Sequence, residues 1–461
     1  MPRLYINSPI KNHYILKCYY TNNESNLIVY QLTLKKIFLE LLIFIIFSIN
    51  ALGQDFRLSG VIKDSIYKDH IKSVLLHQEY KKISYPIIHL NTRERLTLSF
   101  DDLSTTIQNY QYDFIHCNFR WEPSQISRPE YLNGFSDNRI DNYAYSFNTY
   151  FDYIHYKVSI PNELVSFKKS GNYILVVYQD FNKRNILFTK RFRIVKNQVE
   201  IEARVKRPIL PNYRDTGHEI DFTVKTQTHM IDDPYNDIKV EIHQNGRQDN
   251  VINDLKPLFV SNNELRYNHQ EGNIFYAGKE FRYFNTKTLR YQSEKIKSIV
   301  FDRNYFHVTL FPNQPRDYDE YFYNPDRNGF YMVDIEEEEK PETDADYVFV
   351  NFALDYPANL VDGDIYIIGN LTNWQLDSTS MMNYNLDKKR YERTLLLKQG
   401  YYNYLYAFKK KGAQKGDITL IEGSHYEAEN DYLIFIYHKK PNERYVRLIG
   451  YRKINSLEYF D

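Results

Sequence analysis

ILFTKRFRI, residues 186–194, alternates apolar and polar side chains, while NYILVVY, residues 172–178, is apolar almost throughout. The first has the period of two that lets a strand bury one face and wet the other. The second suits a strand buried on both faces. RERLTLSF over 93–100 and VEIEARV over 199–205 repeat the alternating pattern. Turn signals stand between such runs: Pro161-Asn162, Ser170-Gly171, Asn245-Gly246 and Asn328-Gly329. Strands and turns spaced at about 8–15 residues predict an all-β chain of stacked antiparallel sheets. The 44 Tyr and 29 Phe favour strands as well. Convincing amphipathic helices are scarce.

Working outward, the pattern predicts about three tandem immunoglobulin-like β-sandwich domains. The first spans 54–197, the second 198–333, and the last begins with the alternating YVFVNFAL at Tyr347 and covers 347–461. Between the second and last lies DIEEEEKPETDAD, residues 334–346. A run this acidic, with a proline inside it, cannot build a core and is expected to be an exposed linker.

Upstream, KKIFLELLIFIIFSINALGQ over 35–54 reads as a secretory signal. Lys35 and Lys36 give the positive end, Leu41 to Phe47 the unbroken apolar run, and Ala51-Leu52-Gly53 the small residues before cleavage between Gly53 and Gln54. The competing reading is a transmembrane anchor. A span needs about 20 apolar residues, and this run is shorter, with Glu40 inside it and Asn50 near its end. Residues 1–34 show no fold pattern and are read as an extension from a start placed too far upstream. The residue directly after the cleavage position is Gln54 and not Cys, so a lipoprotein anchor is not supported. The expectation is an exported mature chain without a membrane span of its own.

Charge is balanced, 59 basic against 59 acidic residues. Nothing here draws nucleic acid or an anionic membrane from a distance, and no nucleic-acid partner is expected. Of the two cysteines, Cys18 precedes the cleavage position, which leaves Cys117 alone and no intramolecular disulfide. A single Cys of this kind behaves as a small buried hydrophobe.

Catalytic templates fail. There is no Gly-x-Ser-x-Gly, no P-loop and no Gly-x-Gly-x-x-Gly. His218-Glu219 opens like a zinc-protease motif, but Phe222 stands where the second His must be. His116 and Cys117 are adjacent, so on a strand they face opposite ways and make a poor dyad. Asp326-Arg327-Asn328-Gly329 hints at a calcium loop without its later acidic ligands, and Asp317 and Asp319 read as solvated. The expectation is a protein that is not an enzyme, with no catalytic residue, cofactor or metal.

Within the last segment, strand 364–368 runs into Gly369-Asn370-Leu371-Thr372-Asn373-Trp374. Later come strand 393–398 and Gly400-Tyr401-Tyr402-Asn403-Tyr404-Leu405-Tyr406-Ala407-Phe408. This resembles the early-set immunoglobulin-like domains related to glycogen-binding modules, where a Gly corner and its Trp precede a Tyr-rich strand. The resemblance implies a core role for Trp374, with a glucan platform as the alternative.

Across the chain, His116-Cys117-Asn118-Phe119-Arg120-Trp121, Glu130 to Gly134, Ser146 to Thr149 with Tyr153 to Tyr156, Ser170 to Tyr173 and Arg191 to Arg193 occur in order. Gln244 to Arg247, Lys279 to Phe284, Asp326 to Gly329, Asp346 to Val348 and Glu429 to Tyr432 follow. Together they resemble the plug protein of the type IX secretion system of Bacteroidota, with Lys279 standing where Asn is expected. The resemblance implies a periplasmic all-β protein, associated with the outer membrane through its partner, the translocon barrel. It would close that channel when no cargo is loaded. Cys117, Trp121, Gly369, Asn373, Trp374 and Gly400 are the expected structural motif residues. The alternative function is an extracytoplasmic carbohydrate-binding accessory protein, although carbohydrate is not the expected partner.

Overall fold

The computed structural model describes residues 62–459 except 228, 262, 337 and 338, together with positions 36 and 58. The signal segment, the Gly53–Gln54 cleavage position and the 1–34 extension lie outside the described residues. No helix among the described residues is long and apolar enough to cross a membrane.

The chain is all-β. The alternating runs become strands close to where they are expected: Leu96–Asp102, Gly171–Gln179, Asn182–Val195 and Glu200–Lys206. In the first sandwich, one sheet runs in the order Ser65–Ile66, Asn182–Val195, Gly171–Gln179, Tyr110–Cys117, Asn138–Arg139. The facing sheet holds Ile71–Gln78, Leu96–Asp102, Ile154–Ile160 and Tyr143–Tyr145. Phe100, Tyr110, Phe114, Tyr156, Phe188 and Phe192 fill the space between. Aromatic rings meet edge to face there, as their quadrupoles prefer: Phe100 and Phe188 lie 5.0 Å apart at 67°.

The second sandwich departs from the expected boundaries. One sheet contains Glu200–Lys206, Gly217–Lys225, Glu264–Tyr267 and Phe259–Ser261. The other pairs Ile238–Gln244 with Asp431–His438 and then Arg447–Asn455, from the end of the chain. The second module is therefore discontinuous, and the last does not reach the C-terminus. The third sandwich is inserted between the two parts, and it begins before residue 333. Arg282–Asn285 pairs with Gly400–Lys410, and Tyr305–Leu310 pairs with Tyr347–Asp355. The physical reason is burial: Tyr432, Ile434 and Ile436 complete the core around Ile220, Phe222 and Ile242. Phe284, Val308 and Leu310 belong to the core around Val350, Tyr404 and Tyr406.

Two ladders are parallel rather than antiparallel, Ile87–His89 on Arg193–Val195 and Phe306–Thr309 on Val348–Asn351. The acidic run 334–346 is not a free linker. Pro341–Asp344 forms a helical turn, and Ile335, Ala345 and Asp346 are buried. The Asp346 carboxylate accepts from the backbone N–H of Tyr150 and Phe151 at 2.8 and 3.0 Å. Three backbone N–H donors in all, including Tyr347, give this carboxylate a reason to leave water.

Candidate functional site

Strand Asn182–Val195 buries Phe188, Phe192 and Ile194 in the first core and turns Arg191 and Arg193 toward the second sandwich. Arg193 Nη2 donates to Glu241 Oε2 at 2.8 Å, and Nε donates to the Tyr437 hydroxyl at 3.0 Å. Its guanidinium lies 4.0 Å from the Phe435 ring centre and 4.8 Å from that of Trp121. Arg191 stacks on the same indole at 4.5 Å and donates to the Ile62 carbonyl at 2.7 Å. A guanidinium desolvated over an aromatic face gains from the ring quadrupole and keeps its in-plane donors for carboxylate and carbonyl. Burial drives Glu241 toward neutrality, but His243 and Arg193 outweigh it and hold its carboxyl below the usual range. Burial lowers Arg191 to about 10.

The third sandwich closes the same junction. The corner after strand Gly363–Ile368 turns through Gly369 and places Asn373 and Trp374 in left-handed conformation, φ +51° and +57°. Lys190 Nζ of the first sandwich donates to Asn373 Oδ1 at 2.7 Å. Asp249 of the second pairs with Arg247 at 2.7 Å and accepts from the Gly416 N–H of the third at 2.9 Å. A surface cleft of about 710 Å³ lies between the three modules, with Trp121, Arg191, Glu241, Asp249, Trp374 and Lys409 in its wall. Both tryptophans of the chain thus line one cleft.

A second buried network joins the first and third sandwiches. Lys398 Nζ donates to Asp101 Oδ2 at 2.6 Å and to the Glu342 carbonyl at 2.7 Å, and lies 4.0 Å over the Tyr153 ring. His155 Nδ1 and the Tyr347 hydroxyl reach the same carboxylate at 2.6 and 2.7 Å. Burial pushes Asp101 up, but Lys398 and His155 more than offset this and keep it below the usual carboxylate range. A third, Arg282 and Arg316 on the buried Glu422, ties helical turn Thr419–Glu422 to the third sandwich.

The structure brings together four of the expected motif residues, Trp121, Gly369, Asn373 and Trp374. Trp121 is 5% exposed. Trp374 is only half-buried, set edge to face on Phe281 at 5.9 Å, so it caps a small cluster at the junction and does not sit inside the main third core. Gly400 lies apart, where an added Cβ would fall 2.2 Å from the Met332 carbonyl oxygen. Cys117 is buried, and burial raises its thiol to about 12. His116 Nδ1 meets Ser124 Oγ at 2.8 Å, away from any thiol contact. His218 Nδ1 bonds the Tyr432 hydroxyl at 2.8 Å, so the half-motif 218–219 serves packing. Arg193 belongs to the Arg191-Phe192-Arg193 segment of the family resemblance, but its partner Glu241, and Asp101, Lys398 and Glu422, were not singled out by sequence. Their only signal is charge within otherwise apolar strands and turns, which a solvated face shows equally.

These features define a protein of three interlocked β-sandwiches, fastened by buried ion pairs and aromatic stacks. Residues 71–196 match the family model described as type 9 secretion system plug protein 1st domain. The fold is shared with a hypothetical protein from Parabacteroides merdae ATCC 43184, at 34% identity and a TM-score of 0.84. That match covers 86% of this chain and all of the other. No curated protein matches. Residues 71–196 thus support a place in the type 9 secretion system plug protein family, through its first domain.

Proposed function

We propose that this protein is a periplasmic plug that binds the outer-membrane translocon barrel of type IX secretion and closes its channel when no cargo is loaded. The observation that carries this reading is the family match over residues 71–196. Its physical support is rigidity. A body that blocks a wide aperture must not flex at domain seams, and here the seams hold buried, paired charges and not flexible linkers. The export-type segment 35–53 fits a periplasmic address. In this reading the chain acts by binding, with no catalytic group and no cofactor, and the third sandwich is an early-set domain used as scaffold.

The test is recovery of the tagged mature chain from its native envelope in mild detergent, with proteins identified by mass spectrometry. It is paired with outer-membrane permeability to large solutes in a deletion strain. Co-recovery of one very large barrel protein and a leaky deletion strain support the plug. An intact barrier with no barrel recovered overturns it. Recovery with glycan-uptake proteins instead favours a carbohydrate-binding accessory role, with Trp374 in the cleft as the residue to test.

A further inference from the structure

Residues 311–330 join strand Tyr305–Leu310 to strand Tyr331–Val333 without a strand or helix of their own. Irregular segments of this length in a compact domain are uncommon and tend to carry function. This one is pinned at its root. Arg316 donates to Glu422 at 2.6 Å from its side chain and to the Ile421 carbonyl at 2.7 Å from its backbone. Lys279 Nζ donates to the carbonyls of Arg316 and Asp319 at 2.5 and 2.7 Å. The Tyr321 hydroxyl donates to Glu280 and to the Glu427 carbonyl, and Tyr323 donates to Glu429 at 3.2 Å.

The tip does the opposite. Tyr318 is 97% exposed and Phe322 84% exposed. A backbone held at both sides fixes these rings in water, where large apolar surface is costly and no contact among the described residues explains it. Aromatic side chains fixed in advance are what binding hot spots are made of, because little entropy is lost when they dock. Asp317, Asp319 and Glu320 interleave with them. The nearby cations, Arg316 and Lys279, point inward to Glu422 and to backbone carbonyls, so the tip is left acidic.

We propose that this loop is a docking finger that seats Tyr318 and Phe322 on a protein partner whose receiving surface is apolar and rimmed with lysine or arginine. The inference rests on the plug reading only for where the partner is sought, the cell envelope. Complementarity of sign chooses a basic rim, which speeds encounter and rejects acidic surfaces.

The test places a photo-crosslinking benzoyl-phenylalanine at 318 or at 322 in the full chain in its native envelope, with position 80 as control. Tyr80 is 93% exposed on the first sandwich, so all three positions tolerate the probe. Expected are strong crosslinks from 318 and 322, but not from 80, into peptides of one protein that carry Lys or Arg. The pair Asp319→Lys and Glu320→Lys, both exposed, should weaken them about tenfold while leaving the folded chain unchanged. Yields at 318 and 322 no higher than at 80, crosslinks into acidic peptides or polysaccharide, or indifference to charge reversal overturn the proposal. Recovery of the barrel with 318 and 322 silent sinks the finger and leaves the plug. Crosslinks to a basic site on a protein other than the barrel keep the finger and sink the plug.

Discussion

Lys398→Met isolates the seam between the first and third sandwiches. The ammonium is 1% exposed and lies 2.6 Å from Asp101, itself 1% exposed. Methionine keeps the length and apolar stem of the side chain but leaves a buried carboxylate without its ammonium, with only His155 and the Tyr347 hydroxyl beside it, and takes the 2.7 Å donor from the Glu342 carbonyl. Breaking one side of a buried pair costs about 3–5 kcal/mol. The sign of the pH dependence follows from Asp101. In the native chain burial raises its pKa, but Lys398 and His155 pull it below the usual value, so it stabilises the fold above about pH 4 and stops doing so as pH falls through its folded value. Without Lys398, burial prevails and the carboxyl takes up a proton more readily folded than unfolded. The deficit of the variant should therefore be largest at pH 7 and shrink at pH 5. Adding Asp101→Asn to Lys398→Met should restore about half the loss or more, since replacing both partners removes the stranded charge. Urea unfolding followed by tryptophan fluorescence measures all three proteins, with Trp121 and Trp374 reporting from the junction. A loss under about 1 kcal/mol at pH 7, or one equal at pH 5 and pH 7, would refute the reasoning.

Three further outcomes are expected. Burial lowers His116 and His218 each to about 4. The unfolded chain binds these protons near 6.5, so stability should fall from about pH 6.5 to 4, by roughly 3 kcal/mol per histidine, and a flat urea midpoint across that range counts against it. The Cys117 thiol, buried and raised to about 12, should resist a thiol-specific disulfide reagent in the native chain and react on unfolding; rapid native labelling would contradict its burial. Trp121→Ala should cost about 3–5 kcal/mol and half-buried Trp374→Ala clearly less, and equal losses would contradict the difference in burial.

Much of the sheet structure was legible because alternation is a local signal. The run 186–194 falls within strand Asn182–Val195, and 172–178 within Gly171–Gln179, buried on both faces as its apolar run implies. The early Gly-corner pattern likewise gave strand Gly363–Ile368 followed by a turn at Gly369. Module boundaries were not legible, because the partner of Ile238–Gln244 is Asp431–His438, and no local pattern names a distant partner. Residues 334–346 look solvated by composition. Their burial depends on backbone N–H groups at Tyr150 and Phe151, which belong to another sandwich. At the junction, Trp121, Trp374 and Arg193 were visible as motif residues, whereas the pairing of Arg193 with Glu241 became meaningful only once their strands were side by side.

The insertion has a mechanical consequence. Because Asp431–His438 and Arg447–Asn455 complete the second sandwich, both ends of the third are tied to it, one before Arg282 and one after Lys410. A domain held at one end can swing about its linker, while one held at both ends can only twist or translate slightly. The first sandwich removes that remaining freedom. It grips the third through Asp101–Lys398 and Lys190–Asn373, and the second through Arg193–Glu241. It also shares an apolar seam with the C-terminal hairpin, where Ile87 and Val195 pack with Phe435 and Leu448. Each charged contact is weak grounds for stability by itself, since desolvation offsets much of the attraction. Their stronger effect is on specificity: a slipped seam would leave several buried charges unpaired at once, so only one arrangement of the three sandwiches is cheap. That single rigid arrangement is what a stopper requires and what a hinged ligand-binding protein would avoid.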